Sequence, residues 1–432
     1  MKACPECGRL YNETAGFCPA DGQSLLPLDQ VPVKGDDPRL GKLVAGRYLI
    51  RRVVADGGMG RVYEAHDRQD DRRVAVKMLH SDVANDSVAV ARFKREFQVS
   101  SQLPHEHIID VLDFQQDSGT YALVMEFLDG EELRTYLQRD KTASFGRVVR
   151  MISQLAIGLD AAHAQRFVHR DLKPDNVFLC GTREGDRVKI LDFGSVKDKS
   201  EGAKKLTMLG TTIGSPYYMA PEQAQGLDTL DHRADVWAAA AIVYESLFGT
   251  VPFTGNNGPT ILLSIMTKDP VPPTEAARRI GQQVPAALDD VIEEAFVKNP
   301  SGRLASVGIL ADRLGKAFGL TGDHRQWAVT PQDQLDAQIS AALPALLAAS
   351  KPAAVADPFA TGAGAMTMQS ARSAMDDAFR QATQAVPPSV NVVALAEGTD
   401  ELPIKKGPPL GVLIGVVVAV LMVGVGVFVA MR

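Results

Sequence analysis

The stretch HRDLKPDN, His169–Asn176, followed by DFG at Asp192–Gly194, decides how this chain of 432 residues is read. It sets a carboxylate (Asp171), an ammonium (Lys173) and an amide (Asn176) in one short loop, and a second carboxylate (Asp192) in the next. The flanking segments NVFL and VKILDF read as short strands, so a polar turn is the plain alternative. A turn has no need of so many ordered charges. Moving a phosphoryl group from magnesium-bound ATP to a hydroxyl does need them. Asp171 would accept the hydroxyl proton, Asn176 and Asp192 would hold Mg2+, and Lys173 would neutralise charge on the transferred group.

Working outward, VVADGGMGRVY (Val53–Tyr63) reads as strand, glycine turn, strand. Gly57, Gly58 and Gly60 would let backbone amides approach phosphates that a Cβ would hold off. Alone, such a turn is most often only a hairpin. The next strand, RRVAVKML, is apolar but for its arginines and Lys77, and a lysine inside such a strand is costly unless paired or set on an anion. The order of the motifs points to Glu96, in the helical stretch Ser87–Leu103, as its partner. A snorkelling lysine and a solvated helix face are the ordinary readings of the two residues.

These motifs together resemble a protein kinase of the bacterial, eukaryotic-like (Hanks-type) Ser/Thr class over roughly residues 48 to 318. Further residues carry the likeness: AVK at Ala75–Lys77, APE at Ala220–Glu222 and DVW at Asp235–Trp237. The resemblance implies an α+β, two-lobed protein kinase fold, with a β-rich N-lobe and a helical C-lobe, and the general role template of phosphoryl-transfer enzymes. It implies that Lys77 grips the ATP phosphates. It implies that Met125 stands as gatekeeper, with the backbone of Glu126–Leu128 bonding the base and Val62, Ala75 and Phe178 or Leu179 forming apolar walls. Asp235 would hold the catalytic loop and Glu222 would pair with Arg303, both structurally. Lys173 resembles the serine/threonine branch, with protein substrates. Arg170 implies control by phosphorylation between DFG and APE, where Thr207 and Thr211 are the expected sites, Thr212 is a further candidate, and Ser215 is expected to contact Asp171 and Lys173.

Two positions depart from the family pattern. Ala55 stands where the first glycine of the loop is usual, and Ala240 replaces a glycine in the helix after Asp235. No catalytic residue is missing. A nucleotide-binding pseudokinase scaffold is the alternative reading, and a small-molecule kinase a weaker one, since GSPYYMAPE is where this family docks a polypeptide.

Three of the four cysteines crowd into CPECGRLYNETAGFCPADG. Cys4 and Cys7 form a knuckle, Cys18 follows, and Asp21 stands where a second pair would place a cysteine. A Cys3Asp set is a legitimate structural Zn2+ site, and the segment resembles the small zinc ribbons at the front of some bacterial kinases. So short a segment buries little, and structural zinc would supply on the order of 10 kcal/mol or more. A redox-active thiol pair, or an uncoordinated Cys18, are the rival readings. Cys180 reads as a small core residue.

The expected organisation is a zinc-ribbon-like segment (1–26), a tether (27–47), the kinase domain (48–318), a largely disordered Ala/Pro-rich linker (319–409) with short helices in QDQLDAQISAALPALLAAS and SARSAMDDAFRQATQA, and a transmembrane helix (410–431). Leu410–Met431 carries no charge and as a helix would span roughly 33 Å, against a hydrocarbon core about 30 Å thick. A buried core helix would need a large domain around it. Lys405 and Lys406 precede the segment and favour a cytosolic N-terminal side; the amino terminus has no apolar run, so no signal peptide is expected. The expected localisation is therefore a single-pass membrane protein with a cytosolic kinase domain. Gly411 and Gly415 have the spacing of a helix-dimer face, so a homodimer through the membrane helix or the kinase domain is open. The net charge of −6, without long charged runs, gives no case for nucleic acid.

Overall fold

The computed structural model describes residues 1–117, 119–193, 216–227 and 230–349. Gly194, Thr207, Thr211, Thr212 and Ser215 lie outside the described residues, as do SARSAMDDAFRQATQA and the apolar stretch 410–431. Among the described residues no helix is long and apolar enough to cross a membrane.

The chain opens with three two-residue strands, β1 (Lys2–Ala3), β2 (Leu10–Tyr11) and β3 (Leu26–Pro27), in the antiparallel order β2-β1-β3 around the cysteines. The N-lobe follows as β4 (Leu43–Val44), β5 (Tyr48–Asp56), β6 (Gly60–Asp67), β7 (Arg72–Leu79), helix α1 (Ser87–Ser100), β8 (Val111–Asp117) and β9 (Thr120–Glu126). Its six strands run in the order β4-β5-β6-β7-β9-β8. Strand alternation decides what β7 does. Val74, Val76 and Met78 join Tyr48, Ile50 and Tyr63 on the outer face. Ala75 and Leu79 face the other way, onto Phe93 of α1 with Leu123 and Met125. Lys77 shares that inner parity with Ala75. Helix α1 starts where the Asp86 carboxylate accepts from the Val88 N–H at 2.9 Å.

The C-lobe comprises β10 (Glu131–Glu132), α2 (Leu133–Asp140), α3 (Phe145–Ala164), the hairpin β11 (Val177–Thr182) and β12 (Gly185–Ile190), α4 (Pro221–Ala224), α5 (Arg233–Phe248), α6 (Gly258–Thr267), α7 (Pro273–Arg279), α8 (Ala287–Ala295) and α9 (Val307–Ala317). Helix α5 has no polar face and is buried almost all round, as such a sequence must be. Its Trp237 stacks on Phe253 at 5.3 Å and meets Phe296 edge-on at 4.8 Å. Ala240 is fully buried in the same core, so a methyl is accommodated where the family usually has none.

Two expectations about the flanks are corrected. Residues 27–47 are no free tether: β4 extends the N-lobe sheet and Leu40 packs on its outer face. Of the segment 319–409, read from the sequence as largely disordered, the described part forms α10 (His324–Val329) and α11 (Gln332–Ala349), which pack against α3; residues 350–409 lie outside the described residues. Trp327 is buried beside Gly315, where any Cβ would collide with its ring. Asp336 caps α3, accepting from the Gly146 N–H at 2.8 Å and the Ser144 hydroxyl at 2.9 Å. The helix expected in QDQLDAQISAALPALLAAS is thus an integral part of the C-lobe rather than an isolated segment of a linker.

Candidate active site

Lys77 and Glu96 form the pair that motif order suggests: the ammonium lies 2.9 and 3.1 Å from the two carboxylate oxygens. Asp192 stands 4.0 Å from the same ammonium. Burial pushes the Glu96 carboxyl up to about 7. It works against the Lys77 charge too, but Glu96 and Asp192 outweigh it and raise the ammonium above its usual range.

The catalytic loop hangs from one buried carboxylate. Asp235, fully buried on α5, accepts from the backbone N–H groups of His169 and Arg170, both at 2.8 Å, and from His163 Nε2 at 2.8 Å. His169 Nε2 meets the Leu191 carbonyl at 2.8 Å, and the Leu191 N–H donates to the Asn176 carbonyl at 2.9 Å. These bonds tie the two loops that carry Asp171 and Asp192. Arg170 (φ 67°) and Asp192 (φ 58°) both sit in the left-handed region, a strained geometry costing about 1–3 kcal/mol each that persists only where surroundings enforce it. Lys173 donates to Asp171 at 2.8 Å. The Asn176 amide N–H donates to the Asp171 carbonyl at 2.7 Å, leaving its oxygen as the group for a cation.

Of the expected apolar walls, Val62 and Ala75 join Met125, Leu128 and Leu191 around Leu123 and Phe93, whereas Leu179 packs into the C-lobe core. β11 runs beneath the hinge, with Phe178 opposite Glu132 and Leu179 opposite Glu131. Gly60 approaches the Met78 carbonyl so closely that a Cβ is excluded, and the Gly57 N–H donates back to the Gly60 carbonyl at 3.0 Å; Gly58 lies in the turn between. Glu126 is narrower in capacity than the sequence suggested. Its N–H donates to Asp110 at 2.9 Å, and its carboxylate takes the Asp110 N–H and Lys189, so a bond from Glu126 to a base can come only from its carbonyl.

An apolar-walled cleft, a paired lysine and two loops of oxygen donors thus stand together on one scaffold. Residues 48–314 match the family model for the protein kinase domain. The chain belongs to the protein kinase family. Among curated relatives of this kinase, serine/threonine-protein kinase pkn3 of Myxococcus xanthus is 38% identical over 274 residues, 62% of this chain and 50% of that protein. Serine/threonine-protein kinase Pkn1 of the same organism is 37% identical over 324 residues, 73% of this chain and 45% of that one. PknA of Mycobacterium tuberculosis is 36% identical, covering 64% of this chain and 62% of its own. The kinase thus spans about half to three fifths of these relatives' lengths. The crystal structure of the Mycobacterium tuberculosis PknI kinase domain superposes with a TM-score of 0.50 at 26% identity, covering 64% of this chain and 98% of that one.

Three structural features of this kinase were not legible as motifs. Glu222 and Arg303, paired at 2.8 and 3.0 Å in the interior, were expected; the link from the neighbouring Gln223 amide to the Arg170 carbonyl at 2.7 Å was not. Arg134 joins Asp175 of the catalytic loop to Glu245 and Tyr218. A cavity of about 690 Å3, lined in part by Arg95, Arg166, Arg170, His163 and His232 with Asp231, takes in none of Lys77, Asp171 or Asp192; it is mostly cationic and separate from the nucleotide cleft. At the amino terminus, the ligand atoms of Cys4, Cys7, Cys18 and Asp21 all lie within 4.8 Å of one another, with Cys18 Sγ 3.6 Å from Cys7 Sγ and Cys4 Sγ 3.2 Å from Asp21.

Proposed function

We propose that this chain is an ATP-dependent serine/threonine protein kinase that is tethered to a membrane and acts in the cytosol. The observation that carries the reading is the joint placement of the Lys77–Glu96 pair, Asp192, and the Asp171–Lys173–Asn176 loop on one scaffold anchored by Asp235. Lys77, charged and held by Glu96, would bind the α- and β-phosphates. The Gly57–Gly60 turn would cover them with backbone N–H groups, and the Leu128 backbone would take the base. Asp171 orients the incoming serine or threonine hydroxyl and accepts its proton. Lys173, already beside Asp171, balances the negative charge that gathers there. Asn176, with its N–H spent on the loop, and the Asp192 carboxylate offer the hard oxygen donors that Mg2+ takes. The ion would supply neutralisation of phosphate charge.

Activation by trans-autophosphorylation of Thr207 or Thr211 is part of the reading. It is supported by Arg170, whose buried Nε has no hydrogen-bond partner among the described residues and which lines the cationic cavity. A phosphate delivered there would gain charge-assisted bonds. Zn2+ at Cys4, Cys7, Cys18 and Asp21 is proposed as structural. The fit is one of spacing and chemistry: sulfur atoms on a tetrahedral zinc lie roughly 3.8 Å apart, as Zn–S bonds near 2.3 Å require. The Glu6 and Cys7 N–H groups also already point at the Cys4 sulfur, at 3.4 and 3.5 Å. Anchoring rests on the uncharged 410–431 stretch behind Lys405 and Lys406. Proteins bearing serine or threonine are the proposed substrates, and a homodimer the proposed assembly.

The reading is tested with Asp192→Ala in the full chain. It should transfer no phosphate to protein and bind MgATP more weakly than the parent; parental turnover by this variant would refute the assignment.

A further inference from the structure

The amino-terminal module is bonded to two adjacent strands of the N-lobe sheet, β6 and β7. Leu10, the first residue of β2, is fully buried. Its N–H donates to Glu64 at 2.9 Å, and its carbonyl accepts from Arg73 Nη1 at 2.6 Å. Glu64 is itself fully buried and stands opposite Ala75 in the β6–β7 register. Arg73 reaches further, to Asp129 at 2.5 Å, and its guanidinium lies over the Phe127 ring at 4.2 Å. Phe127 and Asp129 flank Leu128 in the hinge. One arginine therefore spans the cysteine module and the segment that would hold the base.

The glycine turn is held by the segment that follows the module. Asp37, in the segment joining the module to the N-lobe, accepts from Arg61 and from the Tyr63 hydroxyl at 2.9 Å. Arg61 also grips Asp56, so it clamps the two ends of the turn that contains Gly57–Gly60. Val31 anchors the intervening chain, its carbonyl accepting from the buried Arg51 at 2.8 Å.

What fixes Leu10 is the knuckle. Cys4 and Cys7 lie on the turn between β1 and β2, closed by the Gly8 N–H to the Cys4 carbonyl and the Cys4 N–H to the Arg9 carbonyl, both at 3.0 Å. A cation joining Cys4 and Cys7 to Cys18 and Asp21 would hold the position from which Leu10 meets Glu64 and Arg73. Without one, so small a unit has little core of its own to keep that position: Ala3, Leu10 and Val31 in one cluster, Cys4, Cys18 and Leu25 in the other.

We propose that zinc bound at the cysteine module raises the affinity of the kinase domain for nucleotide, with Arg73 as the positioning residue that couples Leu10 to the hinge. This rests on the zinc and nucleotide sites proposed above. Because coupling between two ligands is reciprocal, nucleotide must tighten zinc by the same factor.

The test uses the full chain and four measurements: zinc content, thermal melting, MgADP affinity before and after chelation, and zinc affinity with and without MgADP. About one zinc per chain is expected, absent in Cys4→Ser. Chelation should weaken MgADP binding by about fivefold or more, the lower range of measured couplings. Arg73→Ala should keep its zinc, bind MgADP more weakly, and show little further loss on chelation. Arg73→Lys, which keeps the charge but not the fork, serves if the alanine variant does not fold, and should show the same reduced response. A zinc-loaded protein whose MgADP affinity ignores chelation overturns the coupling and leaves the zinc site standing. Absence of zinc overturns both. An undiminished response to chelation in both folded Arg73 variants overturns the role given to Arg73.

Discussion

Replacing Glu222 by glutamine removes one charge and almost no volume, and it isolates what the interior ion pair does. Arg303 is fully buried and Glu222 nearly so, so neither charge recovers water when its partner is lost. Breaking such a pair costs about 3–5 kcal/mol, because a buried charge is left uncompensated. The lower end applies here, since Arg303 keeps the carbonyls of Arg233 at 2.7 Å and Val297 at 3.2 Å. A loss of about 3 kcal/mol in a domain of this size lowers the melting temperature by about 6 °C. The double variant Glu222→Gln, Arg303→Met should then lose less than the sum of its parts, by about 2 kcal/mol, because neither charge is stranded. Calorimetry of the four proteins measures this cycle. Since Gln223 next door donates to the Arg170 carbonyl, the single variant should also lose activity out of proportion to the folded fraction that remains. A melting temperature within about 1 °C of the parent, or strict additivity in the double variant, would refute the argument.

Trp327→Ala should destabilise the C-lobe by about 3–5 kcal/mol, the usual range for emptying a fully packed tryptophan site; equal melting temperatures would show that α10 and α11 are not part of the domain. His163 gives a pH signature. Burial opposes its charge, but the carboxylates of Asp160 and Asp235 outweigh it and raise its pKa to about 9. A histidine raised above its unfolded value near 6.5 contributes stability that is complete below that value and lost as pH rises through about 9, amounting to about 3 kcal/mol. The stability difference between parent and His163→Gln, followed by denaturant titration, should shrink across that window; a constant difference would contradict it.

The parts of the site that were legible in the sequence are those that fall in ordered motifs. A lysine inside an apolar strand needs an anion, and motif order picks out Glu96, which supplies it. The resemblance gives Asp235 the task of holding the catalytic loop, and the His169 and Arg170 amides meet it. The illegible parts depend on ordinary residues made specific by tertiary contact. Arg73 and Glu64 look like solvated charges on strands, and only the approach of Leu10 makes them a junction. Asp37 reads as one acid in a Pro- and Gly-rich tether until Arg61 and Tyr63 meet it. Helix α11 is rich in alanine, and its burial rests on a narrow stripe, with Leu335 and Ile339 its only buried positions. Composition hid that stripe; its i, i+4 spacing was the available signal. The left-handed backbone at Arg170 and Asp192 had no local sequence cue, because neither residue is glycine and the strain is enforced from Asp235 and Leu191.

The central claim is most directly tested by labelled phosphate transfer from MgATP, comparing the full chain with Asp171→Asn. The account predicts label on serine or threonine of protein with the parent and none with the variant, while both bind nucleotide. A parent that binds ATP yet labels neither itself nor any protein substrate, or a variant that labels as well as the parent, would contradict it.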